Sequence, residues 1–177
     1  MKRICILALL FIVCTGARAQ EGPFSVRDGM VVWQTVYQSS LGEADVISAL
    51  AAKGLMEDFV DLEGGVSCRV RLHSVNWKAA GFVRMEVPMY LVNNQMEAHA
   101  LVLFKEGRYR VTVDRIVFHA PSSTSLRERG EVTPLENYAI NGKGELKKVF
   151  YSMNAAAVID YDLLKTFEAV AQEDEDW

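Results

Sequence analysis

The chain predicts a two-layer α+β domain, an antiparallel β-sheet of five to six strands with two helices on one face, ordered strand, helix, four strands, helix. Three observations lead there. Apolar and polar residues alternate through runs joined by short turns between residues 85 and 118, as successive antiparallel strands require. Two segments, 46–55 and 159–170, repeat apolar residues at helical spacing. No internal repeat or second core interrupts this order.

Taken in order, residues 1–19 read as a secretory signal. Lys2 and Arg3 precede an apolar run from Ile4 to Val13, and Ala17-Arg18-Ala19 offers the small-x-small pattern of a cleavage site. That run is about half the ~20 residues a membrane span needs, so the mature chain is expected to lack a transmembrane segment. A lipoprotein reading through Cys14 competes, but Val13 stands where such processing wants a small residue. After an extension at 20–29, the single domain is expected to cover 30–172.

Met30 to Gln38 is rich in β-branched and aromatic residues and predicts the first strand. Ser39 or Ser40 can cap the next helix, whose apolar stripe holds Val46, Ile47, Leu50, Ala51 and Leu55, with Gly54 as a stop. The early hairpin turns at Glu63-Gly64-Gly65. A three-residue loop there opposes Leu62 to Val66 and Val60 to Cys68, and sends Arg69, Arg71 and His73 outward.

The organising stretch runs from Tyr90 to Phe118. A turn at Glu106-Gly107 pairs Phe104 with Tyr109, Val102 with Val111 and Ala100 with Val113 on a core face. On the other face Leu103 meets Arg110, Leu101 meets Thr112 and His99 meets Asp114. A preceding strand over 85–91 continues the core face through a turn near Asn93-Asn94. Pro88 obstructs it, since proline has no N–H to give a ladder, and places that strand at an edge or a bulge.

From 120 to 148 the periodicity disappears into a long connection. A short strand or turn is expected at 145–152. Asn154 can then cap the last helix, whose stripe is Ile159, Leu163, Leu164, Phe167 and Val170. Glu173-Asp174-Glu175-Asp176 makes an acidic tail, read as a solvated terminus, at 173–177.

The whole chain has a formal charge of −4. Losing Lys2, Arg3 and Arg18 with the leader lowers it to −7. An acidic chain is a poor nucleic-acid ligand, because phosphate affinity comes from clustered cations. Cys68 is the one cysteine beyond the leader, so no internal disulfide forms, and its alternation with Val66 and Val70 reads as a small core residue.

These patterns resemble a family of secreted bacterial proteins that carry a domain of unknown function with a TATA-binding-protein-like fold. The resemblance rests on Val31-Val32-Trp33-Gln34-Thr35-Val36-Tyr37 and its helix, and on Lys105-Glu106-Gly107-Arg108-Tyr109-Arg110-Val111. Pro134-Leu135-Glu136-Asn137 and the terminal helix complete it. It spans most of the mature chain and implies a curved antiparallel sheet with helices on one side. It carries over no catalytic or binding residue, and the nucleic-acid binding of the fold's namesake does not transfer to an exported acidic chain.

Three constellations could carry chemistry. His99 facing Asp114 could form a carboxylate-oriented imidazole, with Thr112 and Ser74 as the nearest hydroxyls, the basis of a hydrolase or lyase reading. His73, His99 and His119 could bind a metal, but they lack the short ligand spacings of such sites. The outer face itself gathers Arg69, Arg71, Arg84, Arg108 and Arg110 beside Leu101 and Leu103. Exposed leucines in a central strand invite cover, either by the late connection or by a partner. The sequence has no phosphate loop, paired-cysteine spacing, nucleophile elbow or His-Glu-x-x-His, and calls for no cofactor. The expected function is therefore a non-catalytic binding module of the cell envelope. It would take an envelope protein or a small anionic ligand on Arg69, Arg71, Arg84, His99, Leu101, Leu103, Arg110 and Asp114.

Overall fold

The computed structural model describes residues 22–123 and 128–170. The expected leader and acidic tail lie outside the described residues. Strands β1 (Phe24–Arg27), β2 (Met30–Gln38), β3 (Met56–Leu62), β4 (Gly65–Ser74), β5 (Gln95–Lys105), β6 (Arg108–His119) and β7 (Val132–Pro134) form one antiparallel sheet. Its order is β1-β2-β6-β5-β4-β3, with β7 continuing the β2 side of β6. Helices α1 (Glu43–Ala52), α2 (Met89–Asn93), α3 (Leu135–Ala139), α4 (Lys148–Ser152) and α5 (Ala155–Phe167) complete the domain. Its sheet is slightly larger than the five to six strands expected. Among the described residues, no helix is long and apolar enough to cross a membrane.

The core lies between one sheet face and the helices. Trp33, Val66, Cys68, Val70, Ala100, Val102, Tyr109, Val111 and Val113 point there and meet Val46 and Leu50 of α1 and Ile159, Leu163 and Phe167 of α5. Burial desolvates the Cys68 thiol and pushes its pKa up to about 11, consistent with a packing role. Phe24 of β1 meets Phe150 of α4 edge-on at 5.2 Å, so the expected N-terminal extension supplies an edge strand. The central hairpin adopts the expected register, with all six predicted pairs in place.

Elsewhere the backbone departs from the expected pattern. Residues 85–91 form no strand: a 3₁₀ turn (Arg84–Glu86) leads to Pro88, which starts α2, and β4 takes the place beside β5. A fixed φ and a missing N–H suit a helix start and exclude a ladder position. The early hairpin turns through Glu63-Gly64, opposing Leu62 to Gly65 and Val60 to Ser67. A bulge after Glu57, with Asp58 at φ 55°, absorbs the shift and turns Val60 and Leu62 outward.

The capping serines are likewise displaced. Gly42 stands at the start of α1 without a side-chain cap, while the Ser39 hydroxyl accepts the Leu41 N–H at 3.1 Å. Gly54, at φ 67°, does end that helix. Asn154 precedes α5 but at φ 60°, and its amide donates to the Glu86 carbonyl at 3.0 Å instead of capping. The late connection contains β7, α3 and α4. Leu135, Ala139 and Phe150 from it enter the core, so these described elements cover the helix side and not the outer face.

Candidate functional site

Alternation places Val36 of β2, Arg110 of β6, Leu103 of β5, Gly65 of β4 and Leu62 of β3 in one row across the outer face. The adjacent row holds Gln34, Thr112, Leu101, Ser67 and Val60. Val36, Val60 and Leu62 are exposed, and Leu101 and Leu103 are half-buried. A Cβ on Gly65 would collide with the Val102 carbonyl oxygen and lie 2.7 Å from the Leu103 side chain, so the close strand approach there requires glycine.

At the turn end of these rows lies a half-open hollow of about 550 Å³, lined by Val36, Glu63, Gly64, Leu103, Phe104, Lys105, Arg108 and Arg110. A second, of about 360 Å³, lies between the same turn and the start of α1, with Leu41, Val46 and Tyr109 in its wall. Phe104, Lys105 and Arg108 line both. No ion pair joins Lys105, Arg108 or Arg110 to a carboxylate among the described residues. Their charges face solvent beside apolar surface.

The opposite end of the outer face is internally balanced. Arg69 reaches Glu57 at 2.7 Å, Asp58 at 2.9 Å and Glu97 at 3.6 Å, and Arg71 reaches Glu57 at 3.3 Å. The His99 Nδ1–H donates to Asp114 Oδ1 at 2.9 Å, and the same oxygen accepts from Arg115 Nε at 3.2 Å. His119 Nε2 lies 3.2 Å from Glu97 Oε2, too poorly aligned to count as a hydrogen bond. Arg69, Arg71 and Arg115 already have carboxylate partners, so an incoming anion would have to displace them.

The predicted site residues therefore separate. Leu101, Leu103 and Arg110 share the open, apolar part of the face. Arg69, Arg71, His99 and Asp114 belong to the paired network, and Arg84 lies in the 3₁₀ turn away from the strands. His99 and Asp114 meet as expected. Among the described residues no hydroxyl is hydrogen-bonded to His99, and neither residue lines the hollow.

His73 was expected on the outer face. A register shift between Val70 and His73 turns it toward the helices and exposes Leu72 instead. The three histidines thus occupy two faces. Among the described residues no group of three His, Cys, Asp or Glu could hold a metal ion.

Lys105 and Val36 are contributors that sequence reasoning passed over. Lys105 pairs with Arg108 in the central register, and Val36 follows from alternation along β2. Their positions were legible once β2 was known to lie beside β6.

Two solved structures are similar to this chain over most of its length. One is a DUF4468 family protein from Bacteroides ovatus, with a TM-score of 0.47 and 16% identity, over 86% of this chain and 95% of that one. The other is a TBP-like protein from Parabacteroides distasonis, with a TM-score of 0.47 and 8% identity, over 81% of this chain and 93% of that one. Neither a family model nor a curated protein matches the chain.

Proposed function

We propose that this is an exported, non-catalytic binding module of the cell envelope whose working surface is the turn end of the outer sheet face. One observation carries the reading. Lys105, Arg108 and Arg110 line a hollow of mixed polarity, shared with Val36, Leu103, Phe104 and Glu63, and form no ion pair among the described residues, whereas Arg69, Arg71 and Arg115 on the same face are paired. Unpaired guanidinium groups beside Val36 and Leu103 favour a ligand with an acidic group on an apolar body, whether a small amphiphile or a side-chain cluster of a partner protein. Arginine supplies the directional donors, and the apolar floor supplies the non-directional part of the affinity.

An anionic naphthalene dye such as 1-anilinonaphthalene-8-sulfonate has this chemistry and tests the surface directly. The folded protein is expected to bind it saturably, near one per chain. Combining Arg108→Glu with Arg110→Glu should weaken binding by about tenfold or more while circular dichroism stays unchanged. Equal binding by the variant and the unmodified protein would remove the proposal.

A hydrolase or lyase reading draws support from the hydrogen bond between His99 and Asp114. Among the described residues no hydroxyl is hydrogen-bonded to His99, and Cys68 is buried on the other face. Replacing His99 with Ala should leave dye binding intact.

A further inference from the structure

We infer that a second surface, formed by the 3₁₀ turn (Arg84–Glu86) and helix α4, docks the protein on an anionic lipid bilayer. It stands apart from the turn-end reading, because none of its residues lines either hollow.

One hydrogen bond joins the two segments. The Asn154 amide that donates to the Glu86 carbonyl at 3.0 Å sets the 3₁₀ turn against the junction of α4 and α5, so Met85 and Met153, each next to a bonded residue, come to neighbouring positions. The turn is drawn tight by its own bonds: Glu86 N–H donates to the Val83 carbonyl at 3.0 Å, and Val83 N–H to the Glu86 carboxylate at 3.0 Å. Met85 is left 96% exposed and Val83 60% exposed. In α4, Phe150 enters the core and meets Phe24. Helical spacing then sets Val149 and Met153, four residues apart, on one flank and Tyr151 on the other, all close to half exposed. An exposed apolar cluster of this kind marks a contact surface.

Charge names the partner. Segments 83–89 and 143–153 carry four cations, Arg84, Lys143, Lys147 and Lys148, against two carboxylates, Glu86 and Glu145, a net +2 in a chain of formal charge −4. None of the four cations forms an ion pair among the described residues. The Glu86 carboxylate is held on the Val83 N–H, and that of Glu145 by the Asn141 amide. An acidic chain is repelled from an anionic surface except at such an end, so this end is the one presented. Shape agrees with charge. Met85 projects from a convex turn, and a bilayer interface takes up a protruding side chain without the concave fit that a small ligand needs. Methionine is flexible enough for that medium, Tyr151 has an amphipathic ring suited to headgroup depth, and lysine and arginine can reach phosphates over apolar stems.

The test uses the chain from Gln20 onward, which keeps every described element and omits the apolar leader, itself able to enter a bilayer. It should sediment with vesicles of equal parts phosphatidylglycerol and phosphatidylcholine at least about tenfold more tightly than with phosphatidylcholine alone, and lose that advantage near 0.5 M NaCl. Combining Met85→Glu with Met153→Glu should weaken binding about tenfold or more with circular dichroism unchanged, and Arg84→Glu with Lys148→Glu should do the same. In the unmodified chain, spin-labelled lipid should broaden the methyl signals of Met85 and Met153 most and those of buried Met56 and Met96 least. No binding to the mixed vesicles, or equal binding by the methionine variant, would overturn the inference. A larger loss from Arg108→Glu with Arg110→Glu than from the methionine pair would assign the contact to the turn end and overturn it too. A dimer in lipid-free sedimentation velocity that the methionine variant dissolves, without vesicle binding, would give the surface to a second copy of the chain instead.

Discussion

His73 shows how a single side chain can join the two layers. Its Nδ1 lies 2.8 Å from the Arg71 carbonyl and its Nε2 lies 2.7 Å from Asp162 of α5. A carbonyl and a carboxylate both accept, so both ring nitrogens must donate, and the imidazolium form satisfies them. Burial, which favours the neutral ring, is outweighed by the hydrogen bond and charge of Asp162 and by the Arg71 carbonyl, so the His73 pKa rises. The resulting stability is fully present below the ordinary histidine value of about 6.5 and is lost as pH climbs through the raised folded-state value. His73→Gln should therefore cost about 2 kcal/mol in urea denaturation near pH 5.5, with a smaller loss near pH 9. A cost independent of pH would contradict this account. Strict alternation placed His73 with Arg69 and Arg71, because a bulge leaves no mark in the polarity pattern.

Among the elements, the β5–β6 hairpin was the most legible, since a tight glycine turn and six apolar partners admit one register. Gly107, at φ 70°, meets that turn's backbone demand. Residues 85–91 misled because Val87 and Leu91 are buried in the structure too, though not from a strand. Period-two spacing over so short a run cannot distinguish them, and Pro88 held the decisive information. Helix α5 is tied down at its end by Lys53, whose ammonium donates to the carbonyls of Lys165 at 2.7 Å, Thr166 at 3.3 Å and Glu168 at 2.6 Å. Cations at a helix C-terminus satisfy orphan carbonyls and oppose the dipole. Lys53→Met should lower unfolding stability by about 1 kcal/mol and speed amide exchange in the last turn of α5. Unchanged exchange there would show that the Tyr37 and Tyr109 hydroxyls, which donate to the Leu164 and Phe167 carbonyls, alone hold the helix end.

At the scale of the whole molecule, the described helices, including those of the late connection, all pack on one face of the sheet. The other side divides into a paired network around Arg69 and Asp114 and a cationic rim around Val36 and Leu103 that forms no ion pair among the described residues. That face and its leucines were legible from alternation. The division within it was not, because partnering among Glu57, Asp58, Arg69 and Arg71 depends on which strands are neighbours and on the bulge in β3. The central claim is that the rim and its hollow form the binding surface, and a map of backbone amide shifts during titration with the naphthalene dye tests it most directly. Shifts that saturate together at Val36, Leu103, Lys105, Arg108 and Arg110 are predicted. Shifts confined to Leu41 and Val46 on the helix side, or to His99 and Asp114, would contradict it.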